Sequence, residues 1–254
     1  MSIIYGPVSS WRLGRSLGID VLNTPRKVCS FNCVYCQLGE TTRFVLEREE
    51  FVGLEQLARE IRSVGQVEAD YATFSGMGEP TLAGNLGEAI QLVRSILDLP
   101  IAVLTNSSLM FREDVRQELT HADTVVAKLD VPGEELLAIV NRPAPELRFA
   151  QIAAGIRRFR DEYRGKLALQ LMFIEANKNY ASEMAALVRQ ISPEEVQVNT
   201  PLRPCAVRPL TPESIAKVKG EFAGFPDVMT VYEAGKCEAW PFDLAETLRR
   251  RPTL

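Results

Sequence analysis

Histidine is nearly absent from this chain. His121 is the only one, and it falls just beyond a helix candidate, far from every cysteine in the sequence. Long apolar runs are missing as well; none approaches the roughly 18 residues that a membrane span needs, so no spanning segment is expected. The opening Met1-Ser2-Ile3-Ile4-Tyr5-Gly6-Pro7 has no basic stretch followed by an apolar core, which predicts no signal peptide. Basic charge is not in excess either. The net charge of −4 excludes a global positive field for nucleic acid. Two local basic stretches, Arg157-Arg158-Phe159-Arg160 and Arg249-Arg250-Arg251, read as solvated surface, with phosphate binding as the alternative. The five cysteines are an odd number and three of them crowd one loop. That excludes a disulfide framework and suits a reducing compartment, with the cytoplasm as the expected location.

What is present suits a globular α/β protein. At 254 residues, with 46% hydrophobic and 24% charged, the chain can bury a core without staples. No internal repeat or low-complexity linker interrupts it. Strand candidates are Ser16–Val21, Ala72–Ser75, Ile101–Thr105, Thr124–Asp130, Leu167–Ile174 and Val196–Asn199. Between them lie amphipathic stretches that predict helices over Leu54–Val64, Leu86–Leu97, Glu113–Leu119, Pro145–Tyr163 and Ala181–Ile191. A last helix is expected near Pro212, with Thr211 as its N-cap and Pro212 in the first helical position. Six strands alternating with helices predict a parallel sheet with right-handed crossovers. Residues 1–221 read as this domain. Residues 222–254, with Cys237, Trp240-Pro241-Phe242 and the helix-like run Asp243–Arg251, read as a C-terminal extension packed on it.

The densest chemistry is Cys29-Ser30-Phe31-Asn32-Cys33-Val34-Tyr35-Cys36. Three thiolates on one loop can hold three irons of a [4Fe–4S] cube and leave the fourth iron open for chemistry. Zinc is the rival, but it wants a fourth ligand, and His121, Cys205 and Cys237 are all remote in sequence. A second motif, Phe74-Ser75-Gly76-Met77-Gly78-Glu79-Pro80-Thr81-Leu82, directly follows a strand. Its glycines permit close backbone approach and Glu79 places a carboxylate at the strand exit; the plainer reading is a Gly–Pro turn.

Later strand ends carry further candidates. Asn106 offers an amide for a ribose or carboxylate, or else caps a turn. Lys128 and Asp130 share one face by the period of two, as ligand contacts or as a structural pair. Gln197 and Asn199 likewise point the same way, toward a ligand in the barrel. Met172 reads as core, with adenosyl packing as its alternative. Arg142 offers a guanidinium for phosphate or carboxylate, or is a surface residue in a Pro-rich turn. Cys205 and Cys237 read as passive thiols, although Cys205 after the last strand can sit at a barrel mouth.

With Tyr35 directly before the last cysteine, and with Gly76-Met77-Gly78-Glu79-Pro80 downstream, the chain resembles the radical S-adenosylmethionine (SAM) superfamily. Longer stretches look like the small prokaryotic radical SAM proteins grouped with the wyosine tRNA-modifying, 4-demethylwyosine synthase-like enzymes. These are Tyr5-Gly6-Pro7-Val8-Ser9-Ser10-Trp11-Arg12-Leu13-Gly14, Lys128-Leu129-Asp130, Asn141-Arg142-Pro143 and Gln197-Val198-Asn199-Thr200-Pro201. The opening departs from that group at Ser9 and Trp11, where it has Pro and Arg. The extra cysteines that wyosine-type synthases carry for a second cluster are absent before Cys29.

The resemblance implies a partial (β/α)6 barrel of the radical SAM type. It implies a [4Fe–4S] cluster on Cys29, Cys33 and Cys36, and SAM held near Tyr35, Gly76, Gly78, Glu79, Asn106, Lys128, Asp130, Gln197 and Asn199. The activity implied is reductive cleavage of SAM to a 5′-deoxyadenosyl radical that abstracts hydrogen from a substrate, RNA or tRNA among the candidates. A flavodoxin or ferredoxin would supply the electron. Two alternatives stand beside this: a glycyl-radical-enzyme activase, which is similarly short, and an iron–sulfur electron carrier without turnover.

Overall fold

A β-hairpin opens the chain, with β1 (Ile4–Ser10) antiparallel to β2 (Gly14–Ile19). The structure is a computed structural model that describes residues 1–235 and 237–252. A short parallel pair, β3 (Val28–Cys29) and β4 (Arg43–Phe44), brackets the cysteine loop. The chain then alternates through α1 (Leu54–Val64), β5 (Tyr71–Phe74), α2 (Leu86–Ile96), β6 (Ile101–Thr105), α3 (Glu113–Leu119) and β7 (Thr124–Lys128). It continues with α4 (Glu134–Val140), α5 (Phe149–Glu162), β8 (Lys166–Met172), α6 (Ala181–Ile191) and β9 (Glu195–Asn199). The last elements are α7 (Pro212–Gly220), β10 (Val228–Thr230) and α8 (Leu244–Arg250).

Eight strands form one sheet in the order β1-β2-β5-β6-β7-β8-β9-β10, curled into a half-barrel. From β2 to β10 every neighbouring pair is parallel. The six expected strands are present, and the sheet gains one at each edge. β1 escapes sequence reading because Gly6-Pro7 breaks its alternation; proline is tolerated on an edge strand, where β1 lies, and the register shifts between Tyr5 and Val8. β10 has only three residues, too few to show a period. Helix α4 was also not expected, and α5 begins at Phe149 rather than Pro145. The prolines at 143 and 145 hold their preceding residues out of the helical region. Thr211 caps α7 as expected, its hydroxyl accepting from the Ser214 N–H at 3.3 Å.

The period of two divides the sheet into unlike faces. Leu167, Leu169 and Leu171 of β8, with Val196 and Val198 of β9, belong to the apolar core under the helices. Many of the alternate positions are polar and buried, among them Ser16, Thr73, Gln170, Glu195 and Gln197. They bond to one another, Ser16 Oγ to Thr73 Oγ1 at 2.7 Å and Gln170 Nε2 to Gln197 Oε1 at 3.4 Å. The half-barrel therefore has a polar lumen, with the cysteine loop over the C-terminal ends of the strands.

Within the expected extension, β10 joins the sheet beside β9 and α8 packs on β1, where the Phe242 N–H donates to Gly6 O at 2.9 Å. One expectation there is overturned. Arg250 is not solvated surface; it is fully buried, because Asp20 and Glu246 supply its countercharges. Arg157 and Arg158 of α5 are exposed, as expected.

Candidate active site

The loop from Val28 to Cys36 is stitched to strand-end segments on both sides. On one side Val28 N–H donates to Met77 O at 3.0 Å and Glu79 N–H donates to Val28 O at 3.3 Å. On the other, Asn32 N–H is shared between the carbonyls of Asn141 and Arg142 at 3.0 Å each. Val34 N–H reaches Val140 O at 3.0 Å, and Ala144 N–H donates to Ser30 O at 2.9 Å. The loop is thus fixed by the ends of β5 and α4.

The Gly-rich turn after β5 serves this stitching. A Cβ at position 78 would overlap the Val28 carbonyl, and one at position 76 would overlap the Asp20 carboxylate. The close approach that Gly76 and Gly78 permit is therefore to the protein itself. Glu79 is buried, and its Oε1 accepts from Thr81 N at 3.1 Å, Thr81 Oγ1 at 2.7 Å and Thr105 Oγ1 at 2.7 Å. Oε2 accepts only the Asn106 N–H, at 2.6 Å, and so keeps acceptor capacity. Burial pushes the Glu79 carboxyl upward, against these donors.

Two asparagine amides reach the thiols. Asn106 Nδ2 lies 2.9 Å from Ser30 Oγ and 3.5 Å from Cys29 Sγ, while its Oδ1 caps the turn by accepting Ser108 N–H at 2.9 Å. Asn141 Nδ2 lies 2.8 Å from Asp130 Oδ2, 3.2 Å from the Tyr35 hydroxyl and 3.4 Å from Cys33 Sγ. The Tyr35 hydroxyl donates to Asp130 and accepts from Lys128 Nζ at 3.0 Å. The same ammonium lies 4.3 Å from the Tyr35 ring centroid. Asp130 Oδ1 accepts the Met172 N–H at 2.9 Å. Lys128 and Asp130 do share a face, and what they share there is Tyr35 rather than each other. Burial, and after it Asp130, pushes the phenol well up, so Tyr35 stays protonated.

Cys33, Cys36, Arg142 and Cys205 all line one cavity of about 910 Å³ between the cysteine loop and the segment after β9. Gln197 and Asn199 turn elsewhere. Gln197 bonds Glu195 and Gln170 in the lumen, and Asn199 Oδ1 accepts the following Thr200 N–H at 2.9 Å. Met172 is core, and Cys237 lies 3.7 Å from Ser9 Oγ, away from the loop. Asn141 and Asp20 are the site residues that sequence reading passed over. Asp20 lies inside a strand candidate, and Asn141 lies in the Pro-rich turn beside Arg142.

A family model described as the radical SAM superfamily matches residues 24–188, which include the loop, the Gly-rich turn, Asp130 and Asn141. The chain belongs to the radical SAM superfamily. The resemblance read from its motifs is borne out, as is the half-barrel. A UPF0026 protein of Methanocaldococcus jannaschii is 36% identical, covering 98% of this chain and 79% of its own. A UPF0026 protein of Synechocystis is 40% identical over 88% of this chain and 82% of its own. Two solved structures are similar in fold. Streptococcus suis SuiB bound to S-adenosylmethionine superposes with a TM-score of 0.62 at 12% identity, over 81% of this chain. This chain spans about half (48%) of the SuiB chain. Archaeal TYW1 gives 0.55 at 15% identity, over 83% of this chain and 72% of its own.

The residues present fit the radical SAM cofactors. All five cysteines are free. In the metal-free chain burial pushes the Cys29 thiol up to about 12 and the Cys33 thiol upward; a bound metal centre keeps its thiols deprotonated. Asn141 Oδ1 is a buried acceptor with no partner, beside Cys33, and suits a ligand that donates hydrogen bonds. No helix among the described residues is long and apolar enough to cross a membrane.

Proposed function

We propose that this radical SAM protein is an enzyme that holds a [4Fe–4S] cluster on Cys29, Cys33 and Cys36 and binds SAM beside it. The observation that carries this reading is the cysteine loop, stitched by backbone bonds between β5 and α4, with Cys33 and Cys36 open to a cavity of about 910 Å³. When bound, the cluster supplies the electron for reductive cleavage of SAM, which yields a radical able to abstract hydrogen.

The chain's own residues position and shield this chemistry. The Asn106 and Asn141 amides donate to the Cys29 and Cys33 sulfurs, which lowers the electron density there. Glu79 Oε2 and Asn141 Oδ1 are the acceptors left for the ammonium and other donors of SAM. Tyr35 remains a neutral donor and walls the site with Lys128 and Asp130. A flavodoxin or ferredoxin is the proposed electron donor. An RNA substrate is suggested by the likeness to wyosine-type proteins; the net charge of −4 and the absence of cysteines before Cys29 weigh against it.

The test is anaerobic reconstitution with iron and sulfide. The wild-type protein should gain a brown chromophore, show a reduced-cluster EPR signal that SAM perturbs, and form 5′-deoxyadenosine with dithionite. Cys33→Ala should lose the chromophore and the product together. Full cleavage by that variant, or an EPR signal indifferent to SAM, would sink the proposal, the second result in favour of an electron carrier.

A further inference from the structure

Among the described residues, three guanidiniums, those of Arg12, Arg203 and Arg251, pair with no carboxylate. Arg12 rises from the turn between β1 and β2, and its Nε is buried without a hydrogen-bond partner. Arg203 follows β9, and its guanidinium donates to the Gln37 Oε1 at 3.2 Å. Arg251 follows α8, donates to Ser75 Oγ at 2.9 Å and to Arg250 O at 2.9 Å, and lies 5.6 Å from the Tyr5 ring centroid. None of the three forms an ion pair among the described residues. Their neighbours behave differently: Arg15 pairs with Glu68 and Asp70, and Arg250 with Asp20 and Glu246. Glu195, whose charge acts in the opposite sense on Arg12, is already bonded to Lys166 and Gln197.

The three also work against one another. Burial, then Arg251 and Arg203, push Arg12 downward, and burial and Arg251 do the same to Arg203. A guanidinium does not give up its proton at ordinary pH. The repulsion is therefore a cost that the free protein carries and that a bound anion would relieve.

Their location is tied to the reaction site. Gln37 follows Cys36 directly, and its amide accepts from Arg203 while donating to Arg250 O at 2.6 Å. One side chain of the cysteine loop thus bridges the segments that carry Arg203 and Arg251. Charge decides what fits. A carboxylate or a phosphodiester brings one negative charge against three cations, whereas a phosphomonoester or pyrophosphate brings two or more and matches the forked guanidinium geometry.

We propose that Arg12, Arg203 and Arg251 form a site for a doubly charged phosphate group of the substrate, a phosphomonoester or pyrophosphate held beside the cysteine loop. That the phosphate belongs to the substrate rests on the radical SAM reading; that the site binds phosphate does not.

Calorimetric titration of the full-length protein tests it, with inorganic phosphate and pyrophosphate against a chloride background of fixed ionic strength. Saturable binding of one phosphate is expected. Arg12→Gln and Arg203→Gln should each weaken it by about tenfold or more. In phosphate-free buffer both variants should keep or raise the thermal midpoint, since repulsion is removed, and Arg203→Lys should retain part of the affinity. Dimethyl phosphate, a singly charged diester, should bind at least tenfold more weakly than inorganic phosphate. Absence of saturable binding, or affinity unchanged in both glutamine variants, overturns the site. Equal binding of dimethyl phosphate overturns the doubly charged assignment. Loss of SAM affinity in both variants, with SAM displacing phosphate, overturns it in favour of the SAM carboxylate. The titration needs no turnover, so intact phosphate binding with no SAM cleavage refutes the enzymatic reading and leaves the site standing.

Discussion

Arg250 Nε lies 2.8 Å from Asp20 Oδ2, and neither side chain reaches solvent. The pair joins the end of α8 to the end of β2. Asp20 also accepts from the Met77 N–H at 3.2 Å, and from Leu22 and Asn23 N–H groups at 3.2 Å and 3.0 Å. The last helix, the first parallel strand and the Gly-rich turn therefore share one carboxylate. Moving Asp20 would move the segment that carries Glu79.

Removing one partner of this pair should be severe. Arg250→Met leaves the Asp20 charge buried, and the expected loss is about 3–5 kcal/mol in urea unfolding. The double variant Asp20→Asn, Arg250→Met should recover part of that loss. A double-variant loss equal to the sum of the two single losses would show that the pair is not coupled.

Position 78 should accept no side chain. Gly78→Ala drives a methyl into the Val28 carbonyl and unseats the strand that begins the cysteine loop. A loss of about 3 kcal/mol or more is expected, with reduced iron incorporation per chain. Gly133→Ala, where an added Cβ meets nothing within 4 Å, is the matched control and should change little.

The Tyr35 hydroxyl joins Lys128 to the Asp130–Asn141 pair. Tyr35→Phe deprives Asp130 of a donor and Lys128 of an acceptor, at an expected cost of about 1–3 kcal/mol. The ring and its cation–π contact survive, so iron content should stay near wild type while SAM affinity falls. Unchanged stability and SAM affinity would remove Tyr35 from the site.

Glu79 gives a pH dependence of definite sign. Burial raises its folded value above the unfolded one, so the native state holds the proton more tightly. Its contribution to stability is complete below the unfolded value, near 4.5, and is lost as pH rises through the raised folded value. Urea midpoints should fall across that window in the wild type and lose that decline in Glu79→Gln. An identical slope in both would show that Glu79 does not titrate there.

Local readings and long-range ones fared differently. The bounds of the strand Ile101–Thr105, the helices at Leu54–Val64 and Ala181–Ile191 and the cap at Thr211 were legible, because period and capping depend on residues a few positions apart. Asn106 was legible as a strand-end amide, but its attachment to Ser30 and Cys29, far away in the chain, was not. Gln197 lies in the lumen, the side that the period of two predicts, but its partner Gln170 on the neighbouring strand was not legible.

The sequence by itself determined the spacing of Cys29, Cys33 and Cys36, the Gly-rich turn after a strand, and the alternation that makes a parallel half-barrel. Covalent spacing and side-chain period are local properties, and folding does not alter them. Long-range packing alone decided that Asn141 reaches Cys33, that Arg250 is buried against Asp20 while Arg251 bonds Ser75, and that Arg12, Arg203 and Arg251 find no acid among the described residues. Those outcomes depend on which distant segments the strand order brings together and on whether water or protein answers each charge. The same arginine tripeptide that reads as a solvated tail thus supplies, one residue apart, a buried anchor on Asp20 and a cation on Ser75 at the end of β5.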